Sequence, residues 1–97
     1  MSYEVLLADD AREYLVSLDD KSQRILKENL RKLADDPYPR PGSGFGDTEK
    51  LVVDSEEIYR LHIGRTHTAF YDILEDDQEV RIVDIMDIDE AHKRYGY

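Results

Sequence analysis

Four basic or titratable side chains lie close together in an otherwise acidic chain. They are Arg60, His62, Arg65 and His67, and no Asp or Glu interrupts the segment that carries them. A guanidinium can stabilise a developing negative charge, and an imidazole can exchange a proton near neutral pH. This basic cluster is therefore the first candidate for a functional site.

Two predicted strands must position the basic cluster. From residue 57 to 63 the side chains alternate with the period of two that is typical of a half-buried strand. One face receives Ile58, Arg60, His62 and Gly64, and the other receives Tyr59, Leu61 and Ile63. Residues 64–66 are a predicted tight connection, since glycine tolerates turn geometry. A second strand is predicted from His67 to Leu74.

The composition limits the classes of function. The chain has 97 residues with 23 acidic and 13 basic side chains, which give a net charge of -10. This balance disfavours nonspecific attraction to nucleic acid, although binding depends on the local field. A hydrophobic fraction of 40% predicts one folded domain over residues 1–97. An acidic surface with more Arg than Lys also fits a high-salt cytoplasm.

Several kinds of site and segment are missing from the sequence. There is no cysteine, so disulfides, thiolate metal sites and a cysteine nucleophile are excluded. His62, His67 and His92 match no common ligand spacing, so we expect neither a metal nor a cofactor. The N-terminus has no basic region, and no apolar run approaches the ~20 residues of a membrane span. We therefore expect a cytoplasmic protein that does not contact membranes.

Two amphipathic helices are predicted before the basic cluster. The first, capped by Asp9 or Asp10, repeats apolar residues to about Leu18, and the second runs from Lys21 to Ala34. Pro37 ends the second helix because the residue before a proline avoids helical geometry. The short link between the helices predicts a helical hairpin.

Further extended segments complete the predicted fold. An N-terminal strand covers residues 3–7, residues 49–53 have strand composition, and residues 79–86 alternate as a last strand before a helical turn over 90–95. We predict the order β-α-α-β-β-β-α. This order favours an α+β fold in which the helical hairpin packs on one face of a mainly antiparallel sheet.

The sequence resembles the RelE/ParE superfamily of toxins from toxin–antitoxin pairs. The resemblance rests on the strand YRLHIG, the strand ending AFYDI, the stretch VRIVDIMDI and the terminal AHKRYG, and it spans nearly the whole chain. In its RelE-like branch, it implies a metal-independent endoribonuclease that cleaves mRNA on the ribosome and inhibits translation. It also implies a cognate antitoxin as partner, in a toxin–antitoxin hetero-oligomer.

The resemblance also assigns roles to residues. Metal-free RNA cleavage by the 2′-hydroxyl needs a base, a cation for the phosphorane charge and an acid for the leaving oxygen. The family positions correspond to Arg60 and His62 on the strand and to Tyr95 near the C-terminus. His92 precedes Tyr95 by three residues, so one helical turn would present both. Contacts to RNA are expected from Arg65, His67, Lys93 and Arg94.

Two positions depart from the RelE-like pattern. Thr68 and Asp89 stand where that branch usually carries arginine, so the expected phosphate contacts are fewer. One alternative is a ParE-like toxin, which acts on DNA gyrase, and another is an inactive module that kept the fold. His62 could equally be a hydrogen-bonded strand histidine, and Tyr95 could simply pack against the sheet.

Overall fold

The protein is described here from a computed structural model. The description covers residues 3–38, 48–53, 55–63 and 66–95. The side chains at positions 48, 49, 51, 53, 94 and 95 are outside it.

Five strands and three helices make up the described chain. The strands are β1 (Glu4–Leu7), β2 (Thr48–Val53), β3 (Glu56–Ile63), β4 (His67–Leu74) and β5 (Glu79–Asp87). The helices are α1 (Asp9–Val16), α2 (Asp20–Asp35) and α3 (Ile88–Tyr95).

The strands form one sheet in the order β1-β5-β4-β3-β2. Strand β1 pairs parallel with β5, and the other three pairs are antiparallel. The long connection permits the parallel pair, because the helical hairpin and three strands separate β1 from β5 along the chain. Strands β1 and β2 are consequently the two edges of the sheet.

The helical hairpin covers one side of the sheet, here called the hairpin face. The buried side chains of this core come from α1, α2, β3, β4 and β5, and they include Leu15, Leu26, Leu61, Tyr71 and Ile82. Gln23 fixes the link between the helices, because its Nε2 donates to the carbonyl of Leu18 at 2.8 Å. The apolar stripes of both helices thus meet the apolar side of the central strands.

A β-bulge in β5 reconciles its sequence with the hairpin face. Phe70 pairs with Asp84 while Tyr71 pairs with Ile82, so Val83 is the additional residue. Ile82 and Ile85 both lie in the core beneath the hairpin although they are three residues apart. Strict alternation would have sent one of them to the other side of the sheet.

Helix α3 packs on the other side of the sheet, here called the opposite face. Ala91 forms a second cluster there with Phe70 and Met86, and all three are buried. The carboxylate of Asp87 accepts a hydrogen bond from the backbone N–H of Glu90 at 2.7 Å, which is an N-cap. The cap fixes where the chain leaves β5 and turns back over the sheet.

The predicted α+β class and the helical hairpin are confirmed. The predicted order β-α-α-β-β-β-α has one strand fewer than the structure, in which residues 48–53 and 56–63 form two strands that pair with each other. Asp9 and Asp10 are not caps: Ala8 holds the N-cap position and both acids lie in the first turn, near the positive end of the helix. None of the described helices has the length and apolar composition to cross a membrane.

Candidate functional site

Arg60 lies at the middle of the opposite face. In the register of the sheet it pairs with Phe70, and Phe70 pairs in turn with Asp84 on β5. Only 9% of Arg60 is exposed. A residue this deeply buried has little surface left for a phosphate group of a substrate.

His62 lies one step further along the same face. It pairs with Thr68, which pairs with Met86. His62 is half-buried, whereas Thr68 is 1% exposed and its hydroxyl donates to the carbonyl of Leu61 at 3.3 Å. The position where the RelE-like pattern usually carries arginine therefore holds a buried hydroxyl that is bonded within the sheet.

His67 lies on the hairpin face, away from His62. It pairs with Ile63, and its Nδ1 is hydrogen-bonded to the hydroxyl of Tyr14 at 2.9 Å. The two rings meet edge to face with centroids 5.8 Å apart. Burial, with a smaller effect from Asp87, raises the pKa of Tyr14. His67 thus joins α1 to the sheet and is not brought together with Arg60 and His62.

The sequence contained a signal for this separation. With three residues in the connection 64–66, position 63 pairs with 67 and position 62 with 68. Side chains of paired residues share a face. His67 therefore lies on the same face as Ile63 and the other apolar residues of β3, and His62 lies on the other face.

Helix α3 places its exposed side chains beside the opposite face. His92 and Lys93 are exposed, and Ala91 on the inner side packs against Phe70 and Met86. Tyr95 and Arg94 belong to α3 by their backbone, but their side chains lie outside the described part. Arg65 also lies outside the described residues.

Carboxylates accompany the cations around this region. Asp72 is half-buried on the opposite face, where desolvation, reinforced by Glu56, raises its pKa. A depression of about 250 Å³ at the end of β5 is lined by the carboxylates Asp10, Asp84, Asp87 and Glu90. In the described part of the chain, no group of three or more acidic or histidine side chains is arranged to hold a metal ion. The described surface is thus mixed in charge rather than basic.

An aromatic cluster on the hairpin face was not predicted. Tyr59 stacks on Tyr71 with centroids 5.5 Å apart, and Tyr38 meets Tyr59 edge to face at 6.1 Å. The hydroxyls of Tyr38 and Tyr3 both donate to the carboxylate of Glu75. The cluster ties the chain that leaves α2 to the end of β4, which is a structural role.

Comparisons with known proteins agree with this fold. A sequence model described as ParE toxin of type II toxin-antitoxin system, parDE, matches residues 5–91. A search of curated proteins gave no significant match.

Solved structures with this fold come from both archaea and bacteria. The archaeal RelE-RelB complex from Pyrococcus horikoshii OT3 has a chain with a TM-score of 0.70 and 24% identity, covering 90% of this chain and 96% of that one. The toxin-antitoxin complex RelBE2 from Mycobacterium tuberculosis has a chain with a TM-score of 0.73 and 18% identity, covering 90% of this chain and 99% of that one. The YoeB dimer from Staphylococcus aureus has a chain with a TM-score of 0.67 and 21% identity, covering 89% of this chain and 97% of that one.

These structural likenesses establish the fold, while the match over residues 5–91 establishes the family. The chain belongs to the ParE toxin family of type II toxin–antitoxin systems, within the RelE/ParE superfamily.

Proposed function

We propose that this toxin arrests growth by binding a target protein, with DNA gyrase as the candidate target, and that a cognate antitoxin neutralises it. The observation that carries the proposal is the burial of Arg60, which is 9% exposed in the middle of the opposite face. Catalysis of phosphoryl transfer depends on cations placed at the developing charge. An arginine with so little exposed surface is better placed to stabilise the packing of the sheet than to contact a phosphate group.

Two further observations support binding rather than cleavage. Thr68 is buried with its hydroxyl bonded to a backbone carbonyl, and Asp89 is exposed on α3. Asp72 and Asp84 add negative charge to the same face as Arg60, and like charge in a partly desolvated region repels a phosphodiester. The matched family description, a ParE toxin, points in the same direction.

Ribosome-dependent cleavage of mRNA is the second candidate. His62 favours it, since this half-buried imidazole lies on the opposite face, where α3 also packs. In this candidate, Arg60 would stabilise the phosphorane, His62, His92 and Tyr95 would transfer protons, and Arg65, His67, Lys93 and Arg94 would hold the RNA. The Tyr14 contact of His67 would have to break for that residue to take part.

Expression of the chain alone in a bacterial host separates the two candidates. Binding of gyrase predicts growth arrest without new transcript 5′ ends, together with loss of supercoiling when purified gyrase receives the purified chain. Cleavage predicts new 5′ ends within translated codons. Growth arrest without either effect would refute both candidates.

Variants test the residues. If mRNA is cleaved, Arg60→Ala with Tyr95→Phe should abolish the cuts. Arg81→Ala is the matched control, because Arg81 is an exposed arginine on β5, two strands away from Arg60, and pairs in register with Asp72. Arg60→Met keeps the length of the side chain, so loss of cutting in a folded Arg60→Met protein would identify a role of the charge itself. Coexpression of the protein encoded by the adjoining gene tests neutralisation, which should restore growth.

A further inference from the structure

Two tyrosine hydroxyls meet at one carboxylate in the aromatic cluster of the hairpin face. The hydroxyl of Tyr3 donates to Oε1 of Glu75 at 2.8 Å and to Oε2 at 3.0 Å. The hydroxyl of Tyr38 donates to the same Oε2. The backbone N–H of Tyr3 also donates to the carbonyl of Ala34 at 2.6 Å, which fixes the residue before β1 beside the end of α2. The tips of the two phenol rings are therefore held close together.

Tyrosines are the side chains of this protein most open to one-electron oxidation. The sequence has no cysteine and no tryptophan, which would otherwise compete for the oxidant. A phenol loses an electron more easily when a base bonded to its hydroxyl takes the proton at the same time. The hydrogen bonds to Glu75 raise the pKa of Tyr3 and Tyr38, and they lower the pKa of Glu75. Near neutral pH the carboxylate is therefore ionised and able to accept a proton from either ring.

Two other tyrosines, Tyr71 and Tyr14, each lack one feature of this pair. The hydroxyl of Tyr71 is buried and donates to the carbonyl of Pro37, which is not a base. The hydroxyl of Tyr14 is bonded to His67, which is a base, but the ring beside Tyr14 is that imidazole and not a second phenol. A base and a second phenol occur together where Tyr3 and Tyr38 meet.

We propose that Tyr3 and Tyr38 are a site of oxidative cross-linking, in which a one-electron oxidant joins them as o,o′-dityrosine and Glu75 accepts the protons. Tyr38 is 39% exposed and Tyr3 is half-buried, so an oxidant in solution reaches the pair and the Tyr38 ring has room to turn toward Tyr3. The site is remote from Arg60 on the opposite face, so the proposal does not depend on the target of the toxin.

The reaction removes two electrons and two protons from the pair. Each ring gives one electron to the oxidant and its hydroxyl proton to Glu75, which passes the proton to water. The two phenoxyl radicals then join by a new bond between the ring carbons that adjoin their hydroxyls. The hydrogens on these two carbons move to the oxygens, which restores both phenols. The product closes a loop over residues 3–38, which contains both helices of the hairpin.

Photo-oxidation of the purified full chain tests the proposal. A ruthenium(II) tris-bipyridine complex, illuminated briefly with persulfate as the electron acceptor, generates the one-electron oxidant ruthenium(III). Mass spectrometry of the monomer should show the loss of two hydrogen atoms, and a digest should contain the peptides of Tyr3 and Tyr38 joined to each other. Because the link closes a long loop, the cross-linked chain should melt at least about 10 °C above the untreated chain.

Variants test the role of each residue. Tyr3→Phe and Tyr38→Phe should each abolish the joined peptides, since dityrosine needs two phenols. Glu75→Gln keeps the size of the side chain but removes the base, so it should lower the initial rate of cross-linking by about tenfold or more. The matched control is Glu13→Gln, which makes the same change in charge at an exposed position of α1 and should react at the wild-type rate. Tyr14→Phe, which removes a phenol outside the pair, should also react at that rate.

Several results would overturn the proposal. They are equal rates of cross-linking in folded Glu75→Gln and Glu13→Gln, links found only between two chains, or joined peptides that lack Tyr3 or Tyr38. A link between Tyr38 and Tyr59 would likewise assign the reaction to a different pair. The mass of the product is measured on the isolated chain, so this result and the outcome of the growth and gyrase assays are distinguishable.

Discussion

Removing the hydroxyl of Tyr71 should destabilise the protein far more than removing an exposed tyrosine hydroxyl. Tyr71 is 0% exposed, and its hydroxyl donates to the carbonyl of Pro37 at 2.7 Å. Pro37 is itself fully buried at the point where the chain leaves α2. The bond thus joins the middle of the sheet to the end of the hairpin through two buried groups.

The magnitude follows from what remains after substitution. In Tyr71→Phe the ring and its stacking on Tyr59 are kept, so no large cavity forms. The Pro37 carbonyl loses its side-chain donor inside the core, which typically costs about 1–3 kcal/mol. For a domain of this size, each kcal/mol lowers the melting temperature by about 4–8 °C. Tyr3→Phe removes an exposed bond to Glu75 and should cost no more than about 0.5 kcal/mol.

Urea denaturation followed by circular dichroism, with calorimetry as a second measurement, gives the two free energies of unfolding. The dependence on urea should be the same for both variants, since the surface exposed on unfolding does not change. If Tyr71→Phe and Tyr3→Phe have the same stability, the buried hydrogen bond to Pro37 does not stabilise the fold and the argument is refuted.

Four other predictions concern pH, packing and salt. Burial raises the pKa of Tyr71 above its ordinary value of 10.0. The contribution of Tyr71 to the free energy of unfolding is therefore complete below pH 10.0 and is lost as the pH rises further. Denaturation at rising pH should therefore show a smaller loss in Tyr71→Phe than in the wild type. Hydrogen bonds from Tyr38 and Tyr3 lower the pKa of Glu75 below 4.5. The contribution of Glu75 to the free energy of unfolding is therefore present above pH 4.5 and is lost as the pH falls. In Glu75→Gln the stability should fall less between neutral and acidic pH than in the wild type, as measured by denaturation over the same pH series. Leu26→Ala, at a position 0% exposed, should cost about 2–5 kcal/mol, whereas Ile25→Ala, at 40%, should cost under about 1 in urea unfolding. Because the net charge is -10, raising KCl to about 1 M should raise the melting temperature by screening repulsion, and an unchanged value would contradict this.

The faces of the central strands were predictable from the sequence. Leu61 and Ile63 pack beneath the hairpin, and Arg60 lies on the other face, as the alternation indicated. Burying a side chain in the wrong face would expose the whole apolar set, so a strand with this pattern has one favourable orientation. The helices were predictable for the same reason, since their apolar stripes have the helical period.

Features that depend on long-range pairing were not predictable. The bulge at Val83 appears only when β5 is paired with β4. The burial of Arg60 depends on neighbours contributed by other strands. The alternation of side chains along β3 predicts which face Arg60 is on, but not that the residue is buried. The bond between Tyr14 and His67 joins residues 53 positions apart. Each of these results from tertiary packing, which local pattern does not encode.

The two faces of the sheet have different consequences for family and for target. The hairpin face holds the larger core, with leucines of both helices against β3, β4 and β5, and substitutions there are limited by packing. The opposite face buries a smaller cluster around Phe70. Its exposed positions, such as Arg81, His92 and Lys93, can therefore change charge at little cost to the fold. The sequence match over residues 5–91 identifies the family of this chain. The side chains of the opposite face, with a buried Arg60 among carboxylates, are the reason for proposing recognition of a protein rather than cleavage of RNA.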